Sequence, residues 1–177
     1  LMIHVAIITA SYGFLALGAV LGLFSLWLII FSNKNNLSRL KNTIKELTLI
    51  NERTITIGLF MLAIGTFLGG VWANESWGRY WGWDPKETWA LVSVLVYVFI
   101  LHMRLIPALS GFYIFNLASL IGISSIIMTY FGVNYYLSGL HSYAAGDPMP
   151  IPSFVWYLLA LTIVTAILAK WKFNKYY

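Results

Sequence analysis

Imidazole and indole are the side chains through which this chain is best equipped to do chemistry. It has three histidines, His4, His102 and His141, and eight tryptophans. Three of the indoles are packed into the run Trp77, Gly78, Arg79, Tyr80, Trp81, Gly82, Trp83, Asp84. Imidazole is a common axial ligand of haem iron, and clustered indoles suit a flat, wide, apolar ligand with an anionic edge. Haem answers that description. Arg79 and Lys86 could bind its carboxylates through charge-assisted hydrogen bonds, or could pair with Glu75 and Glu87. Gly78 and Gly82 would let such a ligand approach the backbone, or simply make turns. The bland account of the indoles is an aromatic belt at headgroup level, but a belt spreads its rings over many helix ends instead of one loop.

The elements that must position these residues are set by composition. With 60% hydrophobic and 10% charged residues, the chain is an integral membrane protein, not a soluble domain. A span needs about 20 apolar residues to cross a hydrocarbon core roughly 30 Å thick. Val5–Phe31, Thr54–Ala73, Pro85–Leu105, Phe112–Phe131 and Phe154–Trp171 qualify. Their apolar runs lack alternation, so the fold class is all-α, a polytopic bundle of about five transmembrane helices. Residues 1–177 read as one membrane domain. Within it, 32–53 is an inner amphipathic segment, a loop or a short surface helix. Residues 74–84 form a Trp-rich outer loop, and 132–153 form a His-bearing outer loop broken by Pro and Gly. Asp84, Pro85 and Glu87 predict a helix start: a cap, a Pro at the first position and an acid at the third.

Nine of the 11 basic residues fall on one side of this arrangement, leaving Arg79 and Lys86 on the other. Cytoplasmic loops carry the Lys and Arg excess, so the tryptophan loop and the amino terminus are expected outside. The net charge of +5 is then a topology signal and gives no support to nucleic-acid binding. The absence of cysteine removes disulfides, thiolate metal sites and covalent haem attachment to this chain. The first span has neither a basic stretch before it nor a small-residue cleavage site after it, and reads as a retained helix. Leu1 in place of Met implies a start inside a longer polypeptide, or processing.

Depth separates the histidines. His4 lies at the outer mouth of the first span and His141 in the second outer loop, so both could reach an iron beside the indoles. His102 lies inside the third span, about 25 Å along it from Pro85, and belongs to a second, inner site or snorkels beside Arg104.

Trp77, Gly78, Trp81, Trp83 and Asp84 match the W-G-x-x-W-x-W-D signature of the haem-handling protein family. The stretch from Asn51 to Tyr177 resembles the carboxyl-terminal part of the CcsA or ResC type, the system II cytochrome c synthase often fused as CcsBA. The resemblance implies that the loop holds haem b at the outer face of a bacterial inner membrane or the lumenal face of a thylakoid. It implies iron ligation by His4 and His141, and a transmembrane haem site at His102. The partner histidine of that inner site would come from a CcsB- or ResB-like subunit or fused segment. The implied activity is holocytochrome c synthase, a haem lyase joining haem to the Cys-x-x-Cys-His segment of apocytochrome c, with haem export and a thiol-reducing protein as partner. A CcmC-type haem chaperone is the alternative within the family. A cytochrome b-like electron-transfer subunit would need paired histidines in neighbouring spans, and an ion-coupled transporter would need carboxylates deep within them.

Overall fold

The computed structural model describes residues 2–140 and 150–177. The described residues form helices and connecting turns, with α1 Met2–Ile30, α2 Leu37–Trp77, α3 Pro85–His102, α4 Phe112–Ile127, α5 Val133–Tyr136 and α6 Ser153–Tyr176. A single 3₁₀ turn, Met103–Leu105, continues α3, and a π-helical turn, Met128–Gly132, joins α4 to the short α5. Five stretches are long and apolar enough to cross a membrane. That number matches the sequence expectation of about five spans.

Two boundaries differ from expectation. Residues 37–53 form neither a loop nor a separate surface helix, because α2 runs unbroken through 41 residues, about 60 Å at 1.5 Å per residue. No Gly or Pro interrupts the chain between Leu37 and Ile57. Its inward face, Ile44, Thr48, Asn51, Thr54, Ile55, Gly58, Leu62 and Gly65, is a continuous buried stripe. The amphipathic pattern therefore serves the bundle. The second difference lies at the loops: α2 extends to Trp77 and the α4 rod to Tyr136, so both loops begin several residues later than 74 and 132.

Helices α1, α2, α3 and α4 share an apolar centre of Leu15, Ile55, Leu62, Tyr97, Ile100, Phe115 and Ile126. Close approach depends on small residues, as is general for helices packed in lipid. A Cβ on Gly22 would stand 2.6 Å from the Asn116 carbonyl oxygen, and one on Gly65 would stand 2.5 Å from the Ile8 side chain. Beside this contact, Asn51 Nδ2 donates to Asn116 Oδ1 and Ser119 Oγ, both at 3.1 Å, and Asn116 Nδ2 donates to Thr48 Oγ1 at 2.7 Å. This buried amide cluster ties α2 to α4. At the lysine-rich end, Arg104 Nε pairs with Glu52 at 3.1 Å and Lys172 Nζ donates to the Ser32 carbonyl at 3.2 Å. Helix α6 docks there through Thr165 and Ala169, while Phe154, Trp156, Tyr157 and Leu158 at its other end stay exposed.

Candidate functional site

Helix α2 stops because Gly78 takes a left-handed conformation, φ 70°, and its N–H bonds back to the Asn74 carbonyl. Helix α3 starts six residues later with the predicted cap. The Asp84 carboxylate accepts from Lys86 N, Pro85 occupies the first position, and Glu87 reaches back. Glu87 Oε2 accepts from Gly82 N at 2.8 Å and from Asp84 N at 3.2 Å. Those two bonds bracket Trp83, whose φ of 55° makes it the only non-glycine with positive φ among the described residues. A side chain in that region costs about 1–3 kcal/mol and persists only where the surroundings hold it. The Trp83 indole is 71% exposed and stands at 88° to Trp81, 5.7 Å between ring centres.

Beneath the loop lies a cavity of about 200 Å³, bounded by α1, α2, the head of α3 and the π turn. His4, Trp72, Trp81, Lys86, Tyr12 and Tyr130 are among its lining residues. His4 stacks on Trp72 at 6.1 Å and 11°, and Trp72 meets Trp77 edge-on at 4.9 Å. His4 Nδ1 donates to the Gly65 carbonyl at 3.4 Å. A carbonyl can only accept, so the imidazole is the donor in this contact. Gly69 makes room for the ring, since a Cβ there would lie 3.0 Å from Nδ1.

The π turn forms the cavity's far wall. Thr129 Oγ1 lies 2.8 Å from the Ser125 carbonyl, 3.0 Å from the Trp89 carbonyl and 2.9 Å from Ser93 Oγ, which pins the turn to α3. Single π turns inside helices recur at functional sites, and this one brings Thr129 and Tyr130 to the cavity.

The structure brings together His4, Trp77, Trp81, Lys86 and, through the loop, Trp83 and Asp84. Lys86 Nζ donates to Asn134 Oδ1 at 3.0 Å. Asp84 is buried, with Oδ2 on Lys86 N at 3.2 Å and Oδ1 on Leu140 N at 2.6 Å. Arg79 folds back onto Gly82, where a Cβ would meet its guanidinium carbon at 2.8 Å, so the Arg79 side chain occupies the space above that glycine. Gly78 is accounted for as the helix stop. His141 lies outside the described residues.

His102 is not part of this cluster. It sits near Arg104, which pairs with Glu52, and Glu52 precedes Gly65 by 13 residues on α2, about 20 Å along the axis. Its Nδ1 donates to the Val98 carbonyl at 2.7 Å. Sequence reasoning missed Trp72, Tyr12 and Tyr130. Trp72 had a signal, one turn beyond Gly69 on the helix that leads into the loop. The tyrosines had none, because only packing and the π turn bring them to the cavity.

These features define a class: a polytopic helical membrane protein with an imidazole- and indole-lined cavity at one end of the bundle. The chain belongs to the cytochrome C assembly protein family, whose description matches residues 1–141, and it is CcsA-like. It is 58% identical over 151 residues to Protein NrfI of Wolinella succinogenes, covering 85% of this chain and 16% of that protein. It is 42% identical over 144 residues to the cytochrome c biogenesis protein CcsA of Chlamydomonas reinhardtii, covering 81% of this chain and 40% of that protein. The CcsA of Prochlorococcus marinus strain SARG is 37% identical over 169 residues, 81% of this chain and 53% of that protein. The chain thus spans about half or less of the length of these relatives.

Proposed function

We propose that this chain holds haem at the non-cytoplasmic face of its membrane for covalent attachment to apocytochrome c. The single observation that carries the reading is His4, oriented by Trp72 and Gly65, at a cavity that Trp81 and Lys86 also line. The donor set fits haem as cargo and substrate: the His4 imidazole for iron, indole and phenol faces for a macrocycle, an ammonium for a propionate. A typical ligand pocket measures about 300–1,000 Å³, so this cavity of about 200 Å³ would take only part of a porphyrin, and the exposed Trp83 offers a face for the rest. His141 serves in this reading as the second axial ligand.

Haem supplies two vinyl groups, and each cysteine thiol of the Cys-x-x-Cys-His segment adds across one of them. The sulfur bonds to one vinyl carbon and hydrogen to the other, so the addition is redox-neutral but needs free thiols, hence a thiol-reducing partner. The chain's contribution is orientation, which makes the encounter effectively intramolecular and fixes which vinyl meets which thiol. His102, about 20 Å nearer the lysine-rich end, serves an inner station on the export route, with its second ligand from a CcsB- or ResB-like segment. The membrane is a bacterial inner membrane or a thylakoid.

The test is the visible spectrum of the complete polypeptide purified with bound haem. His4→Ala and His141→Ala are expected to abolish the low-spin bis-imidazole bands, and added imidazole to restore them. His102→Ala is expected to lower haem content without changing the bands of what remains. Full haem content with unchanged bands in both His4→Ala and His141→Ala refutes the reading.

A further inference from the structure

We propose that the lysine-rich end of α6 is a seat for an anionic phospholipid, with the headgroup on Lys172 and Lys175 and an acyl chain along the helix below them. The inference stands apart from the haem reading and concerns the other end of the bundle. Helix α6 is the least embedded of the long helices: only Thr165 and Ala169 are buried along its 24 residues. Leu161, Val164, Leu168, Trp171 and Lys175 follow one another at intervals of three and four residues, so they share one face of the helix. The four apolar members are exposed. From Leu161 to Trp171 this face runs about 15 Å, half of a hydrocarbon core roughly 30 Å thick. That is the depth of one leaflet.

Charge completes the pattern where that face ends. The Lys172 ammonium stands 5.7 Å from the centre of the Trp171 ring and 5.3 Å from that of Tyr176. The Lys175 ammonium stands 5.4 Å from both. These separations are within cation–π range, so the two rings hold both cations at one level. Lys172 Nζ also donates to the Ser32 carbonyl, and Lys34 follows two residues later, within about 7 Å of chain. Among the described residues none of these three lysines has a carboxylate within ion-pair distance, the pair at this end being Arg104 with Glu52. Ammonium groups without a counter-charge match a phosphodiester, and Trp and Lys anchor helix ends at headgroup level. An acidic protein or a free phosphate would meet the lysines and leave the apolar face below them uncovered. A phospholipid matches both. Bound there, it braces α6 against the turn between α1 and α2 that Lys172 touches.

The experiment places the complete polypeptide in nanodiscs of phosphatidylcholine, alone or mixed with phosphatidylglycerol. Native mass spectrometry reads the retained lipid, and amide hydrogen exchange reads residues 168–177. Lys172→Gln/Lys175→Gln is expected to bind phosphatidylglycerol roughly 30-fold more weakly than the parent, at about fivefold per lysine. Lys41→Gln/Lys45→Gln removes the same charge from exposed positions of α2 and is expected to bind it as the parent does. Lys175→Gln alone leaves the Ser32 bond in place, covers the case in which the first double variant misfolds, and is expected to show the loss of about fivefold. Phosphatidylglycerol is expected to slow exchange over 168–177 in the parent and not in Lys172→Gln/Lys175→Gln. Equal retention of the two lipids by the parent, or equal loss in the two double variants, overturns the seat in favour of general charge attraction. Equal slowing by glycerophosphoglycerol, the same headgroup without chains, overturns the lipid and assigns the lysines to a soluble phosphodiester. Equal slowing by a soluble polyglutamate peptide overturns it in favour of an acidic protein partner. None of these readouts depends on bound haem, so the haem reading stands or falls separately.

Discussion

His4 depends on its neighbours more than its position near the chain start suggests. The ring is stacked on Trp72, its Nδ1 faces the Gly65 carbonyl, and Gly69 leaves it room. A stacked aromatic pair is worth about 0.5–1.5 kcal/mol beyond its buried area. Trp72→Ala is therefore expected to weaken haem retention by about two- to tenfold, measured as haem released on serial dilution, with Trp72→Phe close to the parent. Trp83 presents the opposite balance. Its backbone is strained and its indole is exposed, so the side chain stabilises the fold little. Trp83→Gly is expected to raise thermal stability by about 1 kcal/mol while lowering haem content. A stability loss in this variant would show that the indole packs in a way its exposure denies. Strain retained where it costs stability is what a site shaped for a ligand would show.

At the scale of elements, the long helix α2 is the ruler of the molecule: it carries the amide cluster near one end and the His4 contacts toward the other. Beside it, the seat of α1 on α4 tolerates no bulk at Gly22, where a Cβ would strike the Asn116 backbone. Overpacking a helix contact costs about 1–3 kcal/mol, so Gly22→Leu is expected to lower the melting temperature in detergent. Asn116→Ala is expected to cost less, because interhelical hydrogen bonds in membranes average about 0.6 kcal/mol. The reverse order would mean that the amide cluster between α2 and α4 holds the bundle together more than the close packing of α1 on α4 does. The same elements show what the sequence made legible. Five apolar runs and the Asp84-Pro85-Glu87 cap were local signals, and they located the spans and the start of α3 without tertiary information. The continuity of α2 was hidden because Lys41, Lys45 and Glu46 look like a surface segment until the buried stripe Ile44, Thr48 and Asn51 is set against α4. The pinning of the π turn to α3 and the Asp84–Leu140 bond were invisible for a related reason: each joins residues tens of positions apart.

For the whole molecule, charge and architecture point the same way. The basic side chains that the sequence assigns to one side gather structurally at one end, where Arg104 meets Glu52 and Lys172 meets Ser32, while Arg79 and Lys86 remain with the indoles. Excess positive charge is retained on the cytoplasmic side of a membrane, so the cavity is expected to open on the opposite side, where c-type cytochromes receive haem in this reading. Because the sequence contains no cysteine, single introduced cysteines report sidedness cleanly. Ser76→Cys, exposed beside the tryptophan loop, is expected to react with a membrane-impermeant maleimide in intact cells. Asn35→Cys, in the exposed turn between α1 and α2, is expected to react only after permeabilisation. The reverse pattern would leave the fold untouched and place the imidazole of His4 on the cytoplasmic side. The cavity would then be a haem-loading site, and the attachment chemistry proposed for it would have to occur elsewhere.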